Sequence, residues 1–396
     1  MTDKPTVYLD HNATTPLRPE VLDAIVPVLR GVYGNPNSVH HLGQEARKLV
    51  ERARVQVAAL INAASPDEIV FTSCGSESDV LAICGAAQQA YNASNGKKNH
   101  IVSSAIEHEA VRGSVRQMRA RGCEATLVGC DSDARISADD VFAAIRPETS
   151  LVSIMFANNE VGALQPISEI AKFCREKGIL FHTDAVQAAG KVVIDVQALG
   201  VDLLALSGHK INAPKGVGAL YIRKGTRLAP VVVGHQEKNR RGGTENISGI
   251  VALGVAAECA AKDLASHAEK LTALRDRLEE GVAKIDGAHR TSRADLRLPH
   301  TSHFCFDGVD GQNLVVGLDL QGICCSSGPA CSSGATELSH VLKAMQVPEK
   351  VGRGALRVSL GWGTSAADID RLLEVLPQVL AKLRKAEQSP TESAKI

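Results

Sequence analysis

The chain has 396 residues, 44% of them hydrophobic and 22% charged, which is the composition of a soluble globular protein large enough for one big domain and a smaller one. Lys and Arg total 44 and Asp and Glu total 44, so no basic excess points to nucleic acid and no acidic tail to a solvating segment. The most apolar helical stretch, residues 247–261, is too short and too polar to span a bilayer.

In chain order, Met1 to Thr6 is polar and lacks the apolar core of a signal sequence. Strand candidates follow at 69–72, 100–103, 151–156, 179–183, 202–206 and 217–222. Helix-length patterns lie between them, at 78–90, 109–120, 138–145 and 167–176. This alternation predicts a mostly parallel sheet with helices on both faces. The stretch 217–222 follows 202–206 too closely for a helical crossover, so that pair is expected to run antiparallel. From about Asn246 the pattern changes. A long helix towards Ile285 leads to strands at 303–306 and 356–360 and helices at 311–320 and 366–385, a smaller α+β unit.

Several short segments carry chemistry. Thr72-Ser73-Cys74-Gly75-Ser76-Glu77 closes a strand and opens a helix. Such a turn can seat a phosphate or simply cap the helix. His108 stands at the start of the 109–120 helix, where an imidazole can stack on a ring, relay a proton or serve structure alone. Asp184 ends a strand candidate. A carboxylate there can pair with a protonated pyridine nitrogen, or cap a helix. Ser207-Gly208-His209-Lys210, then Pro214-Lys215-Gly216, places a lysine at a strand exit among phosphate-friendly groups. That arrangement suits a pyridoxal phosphate Schiff base, and equally a surface turn.

Ten cysteines include no C-x-x-C pair, so zinc-ribbon spacing is absent and most thiols are expected to be packed and reduced. Cys324 and Cys325, beside Ile323, read as packed, with a redox or metal pair as the alternative. Cys331 differs, because it sits in a small, polar loop from Gly322 to Gly334. Accessibility of that kind suits a nucleophilic thiol. Arg357 is a charge inside an apolar strand pattern. Its partner is either a substrate carboxylate or an acid of the same chain.

Together these motifs resemble the cysteine desulfurases of the NifS/IscS type, long-loop group, within the class V aminotransferase-like fold. The resemblance runs almost end to end. It is carried by Tyr8-Leu9-Asp10 with Ala13-Thr14-Thr15-Pro16, by Asn35-Pro36-Asn37-Ser38, and by Asn158-Asn159-Glu160-Val161-Gly162. Thr183-Asp184-Ala185-Val186-Gln187, Ser207-Gly208-His209-Lys210 and Gly242-Gly243-Thr244-Glu245-Asn246 follow in order. Ser326-Ser327-Gly328-Pro329-Ala330-Cys331 and Leu356-Arg357-Val358-Ser359 complete the series. The chain departs from the family pattern at Ala213, Pro329 and Leu338.

The resemblance implies an enzyme that uses pyridoxal 5'-phosphate to remove sulfur from L-cysteine. Lys210 would bind the cofactor covalently, Asp184 would face its ring nitrogen, Gln187 its ring hydroxyl, and His108 would stack on the ring. Gly75, Ser76, Ser207 and His209 would hold the phosphate, with Thr244 contributed across a homodimer. Asn159 and Arg357 would bind the substrate carboxylate. Cys331 would accept the sulfur as a persulfide and pass it to an acceptor protein such as an iron–sulfur scaffold. A large domain of 15–257 and a small one of 1–14 and 258–396 are expected, the latter with a mobile cysteine loop at about 322–336. The expected setting is cytoplasmic, with no metal, membrane or nucleic-acid partner. Rival readings are a selenocysteine lyase, a class V aminotransferase, and a non-catalytic interaction protein of the same fold.

Overall fold

Twelve strands are assigned in the computed structural model, which describes residues 6–291, 293, 295–328 and 338–388. In chain order they are β1 (Val7–Tyr8), β2 (Ile69–Thr72), β3 (His100–Ser104), β4 (Glu124–Val128), β5 (Thr149–Ser153) and β6 (Leu180–Asp184). Next come β7 (Leu203–Ser207), β8 (Gly218–Ile222), β9 (Ala288–Arg290), β10 (Thr301–Phe306), β11 (Ile323–Cys324) and β12 (Ala355–Ser359). Seven of them form one sheet in the order β2-β8-β7-β6-β5-β3-β4. The neighbouring pairs from β7 through β4 run parallel, and β8 runs antiparallel to both β2 and β7. The reversed β8 follows from its short connection, as the sequence spacing requires.

Side-chain alternation splits the sheet's residues between two apolar layers. Val102, Val152, Phe181 and Leu204 join one cluster. Ile101, Leu151 and Leu203 join another, together with Leu81, Ala82 and Cys84 of the helix Gly75–Ala93. Strands buried on both faces read as unbroken apolar runs, which is why most were visible in the sequence. β4 was not, because it is an edge strand with exposed side chains at Glu124 and Leu127 and no apolar run. β5 was expected at 151–156 but spans Thr149–Ser153. Beyond Ser153 the backbone leaves the ladder with β3, and Met155 N donates to the carboxylate of Glu107 at 2.9 Å.

The helix Ile247–Val282 has 36 residues, about 54 Å of helix. The side chain of Asn246 caps it by accepting from Gly249 N. Its first turns pack with the main sheet through Ile250, Leu253 and Ala257. Its last turns pack in a separate cluster through Leu271, Leu278 and Val282, against Phe304, Leu356 and Leu376. That second cluster surrounds a three-stranded antiparallel sheet, β12-β10-β9. Val7 and Leu9 join it from the far end of the chain, and β1 pairs with β11. Among the described residues no helix is long and apolar enough to cross a membrane.

Candidate active site

The carboxyl ends of β5, β6 and β7 open onto a cavity of about 570 Å³. Sites gather there in parallel sheets because strand ends and helix starts converge. Of the residues singled out in the sequence, Gly75, Ser76, His108, Asn159, Asp184, Gln187, Ser207, His209, Lys210 and Arg357 all line it. Thr244 does not, and is exposed to solvent. Cys331 lies outside the described residues.

One end of the cavity is built for an anion. Gly75 opens a 19-residue helix whose positive pole faces inward. A Cβ at Gly75 would meet Val186 Cγ2 at 2.7 Å and Ser207 Cβ at 3.1 Å, so only glycine lets these three segments close up. Ser207 Oγ is buried without a hydrogen-bond partner. His209 is held near pH 4 by burial and then by the charges of Lys210 and Lys215, which leaves it neutral. Its Nδ1 pairs with Thr14 Oγ1 at 3.1 Å.

Lys210 comes next. A short turn, Gly208–Lys210, carries it off the end of β7. Its Nζ donates to the carbonyls of Asn12 and, at 2.8 Å, Ala13. Behind it Lys191 Nζ donates to the Lys210 carbonyl at 2.7 Å. Burial, then the Lys210 charge, pulls Lys191 down to about 8. At the inner wall Asp184 ends β6, and its carboxylate accepts from Val186 N at 2.9 Å. No helix follows it, so it is not an N-cap. Burial raises its pKa, against the lowering charges of His108 and Lys210. A neighbouring cation stabilises the ionised form of such a carboxylate. His108 caps the helix Glu109–Ala120, its Nδ1 accepting from Ala110 N at 3.2 Å.

An anion seat, a lysine, and a buried carboxylate in need of a cation fit a group that bears a phosphate, an aldehyde and a ring nitrogen. The orphaned Ser207 hydroxyl and the glycine cradle at Gly75 are features of the phosphate end that packing alone leaves unexplained.

Arg357 is 1% exposed and lines the cavity. Nη2 pairs with Asp10 at 2.7 Å, and Nη1 donates to Asn159 O at 3.0 Å. The internal ion pair is therefore present, and the same residue lines the cavity. Sequence reasoning did not single out Asn12, Asp79, Arg112 or His340, which line the cavity too. Asp79 carries one signal, a charge just ahead of the apolar, buried run Leu81-Ala82-Ile83-Cys84 of the same helix.

The segment holding Cys331 leaves and rejoins the described chain beside this cavity. Ser326 N donates to Arg357 O at 3.2 Å on one side. On the other, Ser339 donates to Glu160, and His340 Nε2 pairs with Glu107 O at 3.0 Å. The remaining nine described cysteines are free thiols. Cys325 is buried, and burial raises its thiol well above the ordinary range.

Comparison with known proteins agrees with this geometry. The Aminotransferase class-V family matches residues 7–372. A cysteine desulfurase from Nostoc sp. is 44% identical over 380 residues, covering 96% of this chain and 94% of that one. A solved NifS-like protein superposes with a TM-score of 0.88 at 35% identity, covering 96% of this chain and all of that one. SspA, solved in complex with cysteine, gives a TM-score of 0.79 at 35% identity, covering 90% and 99%. The chain belongs to the aminotransferase class-V family, in the group whose relatives are named cysteine desulfurases.

Proposed function

We propose that this protein is a pyridoxal phosphate-dependent cysteine desulfurase that converts L-cysteine to L-alanine and leaves the sulfur as a persulfide on Cys331. The observation that carries the reading is the single cavity holding Lys210, Asp184, the Gly75–Ser207 cradle and Arg357. Gly75, Ser76, Ser207 and His209 would hold the cofactor's phosphate, Gln187 its ring hydroxyl, and His108 the face of its ring. When bound, pyridoxal phosphate supplies an electron sink beside the substrate Cα.

The chain's own residues do the rest. Arg357 and Asn159 orient the substrate carboxylate. The Lys210 amine takes the Cα proton and returns a proton as alanine forms. Asp184 holds the positive charge of the ring nitrogen. The Cys331 thiolate attacks the substrate sulfur; the new S–S bond forms as the C–S bond breaks, and the carbon is protonated. One cysteine and one enzyme thiol give one alanine and one persulfide. Cys331 is five residues beyond Ser326, so a chain tethered at Arg357 can carry it about 18 Å.

The exposed position of Thr244 supports a homodimer in which this residue completes the partner's phosphate seat. An acceptor protein such as an iron–sulfur scaffold takes the persulfide. Nine free thiols suit a reducing cytoplasm. The test is incubation of the holoenzyme with L-cysteine, scoring alanine and the mass of the Cys331 peptide. The expected result is one alanine per sulfur-bearing peptide, lost in Cys331→Ser with the cofactor retained. Alanine with elemental sulfur and no adduct on Cys331 would make the protein a lyase.

A further inference from the structure

The face of the sheet that carries Asp184 continues inward as a polar row. Alternation puts Leu180, His182 and Asp184 of β6 on one side. Leu180 packs with the cluster that includes Leu81 and Ala82 of the helix Gly75–Ala93. Strand register sets Ser103, Ser153 and His182 side by side. His182 Nδ1 lies 2.8 Å from Ser153 Oγ. Asp79, 1% exposed, reaches down from the helix, lines the cavity, and places its Oδ1 3.5 Å from His182 Nε2. Both of those atoms are buried and lack a hydrogen-bond partner. They are complementary if one proton lies between them.

A second carboxylate stands close by. Ligand atoms of Asp79, His108 and Asp184 all lie within 4.8 Å of one another. Two ionised carboxylates at that range, away from water, repel strongly, so one keeps its proton. Several groups face Asp79. His182 and Asp184 come from β6, Glu107 and His108 from the segment after β3, and Cys74 from its own helix start. Burial, then the charges of Asp184 and Glu107, hold Asp79 far above the ordinary carboxylate range. Burial holds His182 down to about 3, so it supplies no compensating charge. His108 and Lys210 favour the ionised form of Asp184.

We propose that Asp79 is a positioning residue kept as a neutral carboxylic acid, its proton donated to Nε2 of His182, whose Nδ1–H donates to Ser153 Oγ. Asp184 is then the single carboxylate presented to the ring nitrogen. The arrangement matters for Lys210. A second negative charge would favour the ammonium form of every base in the pocket, and Lys210 must be a free amine to accept a proton. This consequence rests on the reading of the cavity as a pyridoxal phosphate site, whereas the protonation of Asp79 does not.

The test has two arms. Infrared difference spectra of the cofactor-free protein, in H2O and D2O at neutral pH, should contain a carboxylic-acid C=O band that disappears in Asp79→Asn and persists in Glu107→Gln. In the loaded protein, the pH midpoint of the Lys210-bound cofactor absorbance should stay within about half a unit of wild type in Asp79→Asn, because one neutral group replaces another. Loss of an ionised neighbour would move it by about one unit or more. Absence of the infrared band, or a midpoint displaced by that amount, overturns the proposal. Should Asp79→Asn not fold, Ser153→Ala is read instead: the same band should shift as His182 loses its Nδ1 partner, and an unmoved band overturns the proposal. Failure of both wild type and variant to take up pyridoxal phosphate would count against the cofactor reading and leave the infrared result standing.

Discussion

Arg357 holds two partners within its own chain, and this shapes how the proposed substrate carboxylate would meet it. Asp10 occupies Nη2, and the Asn159 carbonyl occupies Nη1. The planar fork is therefore fixed before substrate arrives. Arg357→Lys keeps the charge and loses the fork. A charged hydrogen bond is worth about 1.5–3 kcal/mol, so KM for L-cysteine should rise about ten- to a hundredfold with a smaller change in kcat, measured by steady-state alanine formation. Lys210→Ala should abolish both turnover and the visible absorbance of the bound cofactor. Most residues that sequence motifs named line one cavity, Thr244 excepted and Cys331 outside the described residues, because most carry a recognisable side-chain chemistry. Asp79 escaped because the helix was expected to begin at Ser78, which made it one more polar residue in a first turn. The carbonyls of Asn12 and Ala13 that hold Lys210 escaped for a simpler reason: a backbone oxygen has no residue signature.

At the scale of elements, the cofactor end depends on three segments meeting at Gly75. The helix Gly75–Ala93, the end of β7 and the turn after β6 touch there without a side chain between them. Gly75→Val forces Val186 and Ser207 apart. Overpacking of this kind costs about 1–3 kcal/mol. Pyridoxal phosphate affinity should fall about tenfold or more by absorbance titration, while the urea midpoint drops only modestly and the far-ultraviolet circular dichroism is kept. Central strands were legible because burial on both faces makes them apolar throughout. Their ends were not, since a strand stops where its partners' hydrogen bonds stop. β5 shows this, giving up three apolar residues when Glu107 takes over the Met155 amide. The two short strands β1 and β11 pair across most of the chain, a contact that no local pattern encodes.

For the whole molecule, buried imidazoles and carboxyls set opposite limits with pH. Burial holds His11 and His267 down to about 4, and His182 and His303 to about 3. The folded chain binds fewer protons at these sites than the unfolded one. Their contribution is therefore complete above about pH 6.5 and is lost as pH falls through 4 and 3. Burial raises Glu107 to about 8 and Glu160 to about 7. Their contribution is complete below about pH 4.5 and is lost as pH rises through 7 and 8. Urea midpoints against pH should form a dome between these limits, and Glu107→Gln should flatten the alkaline side. The proposed sharing of sites across a homodimer has its own signature. Mixing Lys210→Ala with Thr244→Ala chains should restore activity, because one site of the mixed dimer receives both intact residues. A mixture no more active than its components would remove Thr244 from the partner's site.

The placement of Asn12 carries a last consequence. Its carbonyl holds Lys210 and Gln187, its side chain meets His300 and Thr301, and its amide rests on Ser359 Oγ. The farthest of these partners, Ser359, lies 347 positions from Asn12 in the sequence. On the ribosome Asn12 emerges well before Ser359, and domains fold as they emerge. The sheet can form early, yet the wall behind Lys210 waits for β12. Lys210 thus gains its final setting only after β12 has been made, and chains terminated before Ser359 should fail to capture the cofactor.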